Sequence, residues 1–96
     1  MTPLENLSAS DFTSLTGQIL TLQTAAGEEH PLELTAVTPL GSRHPGASRD
    51  PFSLTFRGPS GLRLPQSIYP FQFPGAGRLE FFITQTADSW FEAVFT

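Results

Sequence analysis

The side chains able to do chemistry in this chain of 96 residues are few, and their spacing decides what they could do. His30 follows Glu28 and Glu29, so three metal-type ligands stand in a row. Consecutive residues of a hairpin turn point different ways and do not converge on one ion. No second histidine stands at a ligand spacing. An exposed polar turn is the expected role of these three residues.

The stretch from Ser42 to Asp50 holds Arg43, His44 and Arg49, a candidate anion loop. Guanidinium forks beside backbone N–H groups suit phosphate or carboxylate. The loop lacks the glycine-lysine pattern of a P-loop, and no helix follows it. Ser42, His44 and Asp50 supply the residue types of a hydrolytic triad, but a triad needs rigid scaffolding. No G-x-S-x-G elbow accompanies them. A solvated loop with Asp50 paired to an arginine is the default.

Glu80 and Glu92 fall at matching places in the last two expected strands. A facing carboxylate pair could serve acid–base chemistry on a glycoside. Outward surface residues, with Arg57 or Arg78 as cross-strand partners, are the simpler reading. No catalytic, cofactor-binding or metal-binding residue is therefore assigned, and an enzyme is not expected.

Composition narrows the classes further. The length suits one domain spanning residues 1–96. Charged residues make up 15% of the chain, below the usual ~25%. Nine phenylalanines argue against disorder. The net charge is −4, lysine is absent and the five basic residues are all arginine, so little material exists for a nucleic-acid-binding face. The absence of cysteine excludes disulfides, thiolate metal sites and cysteine nucleophiles together. The N-terminal residues carry neither a basic region nor an apolar run, so no secretory signal is expected. No segment approaches the length of a membrane span. The expected location is the cytoplasm, or an exported assembly reached without a signal peptide.

The elements that would carry these residues are mostly strands. The first seventeen residues read as a short helix: Ser8 or Ser10 caps it, Leu7, Phe12 and Leu15 share a face, and Gly17 stops it. From Gln18 the period becomes two. Ile19 to Leu22 and Leu32 to Val37 form a hairpin that buries Leu32, Leu34 and Ala36. Phe52 to Arg57 alternates cleanly. Ser67 to Phe73 alternates too, but Pro70 cannot donate to a ladder, so this strand is expected at an edge or bulged. Arg78 to Gln85 and Trp90 to Phe95 complete six strands joined by short turns. Such strands suggest a small antiparallel barrel or a two-sheet sandwich with an N-terminal helix.

Most phenylalanines, from Phe12 through Phe52, Phe56, Phe71, Phe73, Phe81, Phe91 and Phe95, fall on expected inward positions. Phe82 and Trp90 do not. With Ile68 and Val94 they form a candidate interaction surface, unless the helix covers them.

Several segments resemble a known family. They are Phe12 to Gln18, Arg49 to Pro59, Leu64-Pro65-Gln66 with Tyr69, and the ending Phe91-Glu92-Ala93-Val94-Phe95. Together they resemble small bacterial proteins of about this length, classed as a domain of unknown function. The resemblance covers nearly the whole chain and brings no catalytic residue. It implies a neighbourhood of phage-tail-collar-like proteins, and hence an accessory role in a tail-like or secreted assembly. The expectation is a non-enzymatic structural or interaction module that binds a protein partner or itself. A barrel holding a small apolar ligand is the alternative.

Overall fold

The computed structural model describes residues 9–41, 45–46, 50–73 and 77–95, the side chain of Phe73 excepted. One short helix, α1 (Ala9–Thr13), precedes six strands: β1 (Ile19–Gln23), β2 (Glu29–Pro39), β3 (Phe52–Arg57), β4 (Ser67–Phe73), β5 (Gly77–Ala87) and β6 (Trp90–Phe95). The strands close into an antiparallel barrel in the order β1-β2-β3-β6-β5-β4. Barrel closure, rather than a sandwich, resolves the two architectures the pattern allowed.

Period-two alternation drives this closure. Leu20 and Leu22, Leu32 and Leu34, Phe52, Leu54 and Phe56, Phe71, Phe81 and Ile83, and Phe91 and Phe95 all point inward and are buried. The rings of Phe56, Phe71 and Phe81 stack across the lumen, with centroids 4.5 Å apart for Phe71–Phe81 and 5.3 Å for Phe56–Phe71. Each such pair contributes about 0.5–1.5 kcal/mol beyond its buried area. The rings occupy the space that a luminal ligand would need.

The two ends of the barrel are closed differently. At one end α1 inserts Phe12 against Phe52 and Phe95, at centroid distances of 5.7 and 5.5 Å. Residues Leu15 to Gly17 leave the helix in turns, and Gly17, at φ 91°, donates its N–H to Leu34 O. Ser10 lies within α1 rather than capping it. Leu7 and Ser8 lie outside the described residues. At the other end, the β3–β4 connector lays Leu62 and Leu64 against the core. Gln85 holds that connector by accepting from Leu64 N–H and donating to Leu62 O. Asp88 accepts from Gly61 N–H and Arg63 Nη1.

The prolines show how finely the ladders are matched to the sequence. Pro31, Pro39 and Pro70 all sit inside strands. Leu34 N–H donates to Gln18 O and Thr24 N–H to Glu28 O, so the even residues of β1 bond toward β2. Pro31 is paired with Thr21, a position between those bonds, where no N–H is needed. Leu40 N–H donates to Pro51 O, which places Pro39 between bonds in the same way.

One expected inward residue moves. The β2–β3 register shifts between Leu34 and Ala36, and Thr35 Oγ1 donates to Thr55 O there. The bulge turns Ala36 outward and Val37 onto the core.

Candidate functional site

The exposed apolar residues lie on the outside of the barrel, where alternation leaves every second side chain in solvent. Ile68 on β4 and Phe82 on β5 are directly paired and are 63% and 48% exposed. The β5–β6 register that pairs Thr84 with Glu92 carries Phe82 to the level of Val94, which is also exposed. Val94 in turn pairs with Ser53, which is buried, and the exposed row ends there. The result is an apolar row across β4, β5 and β6.

Trp90 belongs to a different place. It sits four positions along β6 from Val94, about 13 Å at strand rise. It pairs with Arg57, whose guanidinium lies 5.7 Å from the ring centroid. This cation–π contact gives Trp90 a partner within the chain. Of the four residues proposed as one surface, three share a row and the fourth is separate. Helix α1 packs at the barrel end and covers none of them.

A cleft of about 690 Å³ opens beside the row, with Ile68 on its lip. Ser67 to Pro70 form one wall, Gln23 to Ala26 of the β1–β2 hairpin the opposite wall, and Leu62 to Pro65 of the connector the third. Tyr69 is buried and donates its hydroxyl to Pro65 O, fixing the connector against β4. Burial pushes the Tyr69 phenol above its ordinary pKa, because the phenolate would lose its water. His30, Glu28, Arg78 and Glu80 also line the cleft.

The cleft exists because β4 outruns β1. The β1–β4 ladder has two residue pairs, Thr21 with Gln72 and Leu22 with Phe71. The next pair would be Gln23 with Pro70. The odd residues of β1 bond toward β4, so this position calls for an N–H from residue 70. Proline has none, and the ladder stops. β4 is thus neither an edge strand nor bulged, as Pro70 suggested. It is a barrel strand whose edge on the β1 side is open at Ile68, beyond the bond that Gln23 N–H makes to Pro70 O.

The residues singled out for chemistry are not brought together. No group of three or more potential metal ligands occurs among the described residues, and Glu28 and Glu29 are exposed at the hairpin turn. Glu80 pairs with Pro70, while Glu92 pairs with Thr84 and Thr55, so the two carboxylates do not face each other. Nor are Arg57 and Arg78 their cross-strand partners: Arg57 opposes Glu33 and Trp90, and Arg78 opposes Gln72. The anion loop residues Arg43, His44 and Arg49, with Ser42 of the triad reading, lie outside the described residues. Asp50 is exposed at the loop's end.

Sequence reasoning missed the cleft. Gln23, Ala25, Leu62 and Pro65 carry no chemical signal of their own. The available signal was Pro70, a proline inside a strongly alternating strand.

No described helix is long and apolar enough to cross a membrane. No curated protein and no solved structure matches the chain. A family model described as a domain of unknown function, DUF6916, matches residues 7–95, and the chain belongs to that family.

Proposed function

We propose that this domain is a non-enzymatic interaction module that binds a protein through the outer face of β4, β5 and β6. The observation that carries this reading is the directly paired, solvent-exposed Ile68 and Phe82. Continuous exposed apolar surface is costly to maintain, and on a folded domain it marks a place where another surface docks. Val94 extends the row and the cleft adjoins it. The filled lumen weighs against the alternative of a barrel that holds a small apolar ligand inside.

An accessory role in a phage-tail-like assembly of a bacterium is the finer form of this proposal, with the domain in the cytoplasm or in an exported assembly. Nucleic acid is not among the partners proposed, given the acidic balance of −4.

Site-specific photo-crosslinking in the producing cells tests the reading. A photoreactive side chain at position 82 or 68 is expected to trap a protein, while one at Glu33, elsewhere on the barrel, is not. Analytical ultracentrifugation of the purified chain separates a second copy from a different partner. A strict monomer with no crosslink from position 68, 82 or 94 above the Glu33 control contradicts the proposal.

A further inference from the structure

We infer that the cleft at the β1–β4 seam takes an extended peptide, which adds to β4 as a short strand. This rests on the interaction reading and names the kind of partner and the bonds that hold it. The argument starts from the direction of the backbone. Thr21 pairs with Gln72, and the odd residues of β1 bond toward β4, so Gln72, Pro70 and Ile68 turn their backbone groups toward the β1 side. Gln72 meets Thr21 there. Pro70 gives its C=O to Gln23 N–H, the bond that closes the Leu22–Phe71 pair, and Ile68 beyond it meets no strand.

The cleft therefore presents the N–H and C=O of Ile68, on a strand whose other side pairs with β5. An N–H and a C=O from one residue match one hydrogen-bonded pair of an antiparallel peptide strand. The cleft volume of about 690 Å³ lies within the ~300–1,000 Å³ of ordinary ligand sites. Side chains of an added strand would alternate. Those level with Ile68 would point outward onto the apolar row, and their neighbours would turn toward Leu62 and Tyr69. Pro70 sets the end of the pairing, because it has no donor and its C=O is taken by Gln23 N–H. The same proline that stops β1 from closing the seam keeps the edge from pairing indiscriminately over its length.

The test pans a phage-displayed library of random linear peptides against the full chain and then studies synthetic copies of the enriched peptides. Methylating single backbone nitrogens of a bound peptide is expected to weaken binding by about tenfold or more at the one nitrogen that donates to Ile68 O and to change little at the nitrogens on either side of it. The amide of Ile68 is expected to gain protection from hydrogen exchange when the peptide is bound. Enriched peptides that need Phe82 but show a flat methylation scan and leave Ile68 unprotected would overturn strand addition while the docking face stands. Failure to enrich any peptide would overturn the inference as well. Protection of Ile68 that rises with protein concentration alone would overturn it in favour of a second copy of this chain.

Discussion

The β3–β6 ladder and the β1–β4 seam belong to the same barrel, and they are built to opposite ends. β3 and β6 pair at six successive positions, from Phe52 with Phe95 to Arg57 with Trp90. Inward Phe52, Leu54, Phe56, Phe91, Ala93 and Phe95 are all buried behind that ladder. β1 and β4 pair at two positions. Leu22 and Phe71 are buried behind the seam, yet the backbone beyond them is left open. The difference teaches that core packing and backbone pairing are separable. The seam is held by its inward side chains, so its edge can stay unpaired without opening the barrel.

The largest expected effect lies on the closed side. Deleting Trp90–Thr96 removes β6, leaving β3 and β5 without a common partner and Phe12 and Phe52 without the Phe95 ring. The truncated chain is expected to be unfolded by circular dichroism. A native-like spectrum with a cooperative melt would break the claim that the β3–β6 ladder organises the core.

A second change on that side acts through crowding. Gly58 donates its N–H to Ser89 O, continuing the β3–β6 ladder past Arg57. A Cβ placed there would stand 2.6 Å from Leu32 Cδ2 and 3.0 Å from Phe91 Cε2. Gly58→Ala is expected to cost about 1–3 kcal/mol in urea unfolding. An unchanged midpoint would show that the ladder gives way easily at that corner.

The seam is expected to respond more weakly. Tyr69→Phe loses the hydroxyl bond to Pro65 O and should cost about 1 kcal/mol. It also removes a pH dependence. The folded protein holds the Tyr69 proton more tightly than the unfolded chain, whose phenol titrates near 10.0. That contribution is complete below the unfolded value and fades as pH rises through the higher folded one. Stability of the parent protein should therefore fall above about pH 10 more steeply than that of the variant. Parallel curves would mean that Tyr69 does not anchor the connector.

The smallest effect is the most specific. Pro70→Val supplies the missing N–H and should extend the seam by the Gln23 pair. The gain of a hydrogen bond, about 0.5–1.5 kcal/mol, is offset by about 0.4–1 kcal/mol from the freer unfolded chain. The melt should barely move, while the new amide at position 70 becomes protected from exchange. An unprotected amide there would place the cause of the open seam somewhere other than the proline.

Much of this fold was legible because alternation is a strong signal wherever one face is buried. Phe52 to Phe56 and Leu79 to Ile83 show it, and both came out facing as their spacing required. The bulge at Thr35 was not legible, since the extra residue is set by pairing with β3 far along the chain. The surface was half legible. Ile68, Phe82, Trp90 and Val94 could be marked as outward, but only cross-strand register separates Trp90 from the other three. The cleft was hidden because the wall from Gln23 to Ala26 lies far along the chain from the other two, Leu62 to Pro65 and Ser67 to Pro70. Pro70 announced an interrupted ladder without saying which neighbour it interrupts.

Amide hydrogen exchange along β4, read residue by residue by nuclear magnetic resonance, tests the open seam most directly. Tyr69 and Phe71 bond toward β5 and Gln72 toward Thr21, so their amides should exchange slowly. Ile68, in the same strand and next to Tyr69, should exchange quickly. Slow exchange of Ile68, comparable to that of Tyr69, would mean that its N–H is already paired and would contradict the account of the seam.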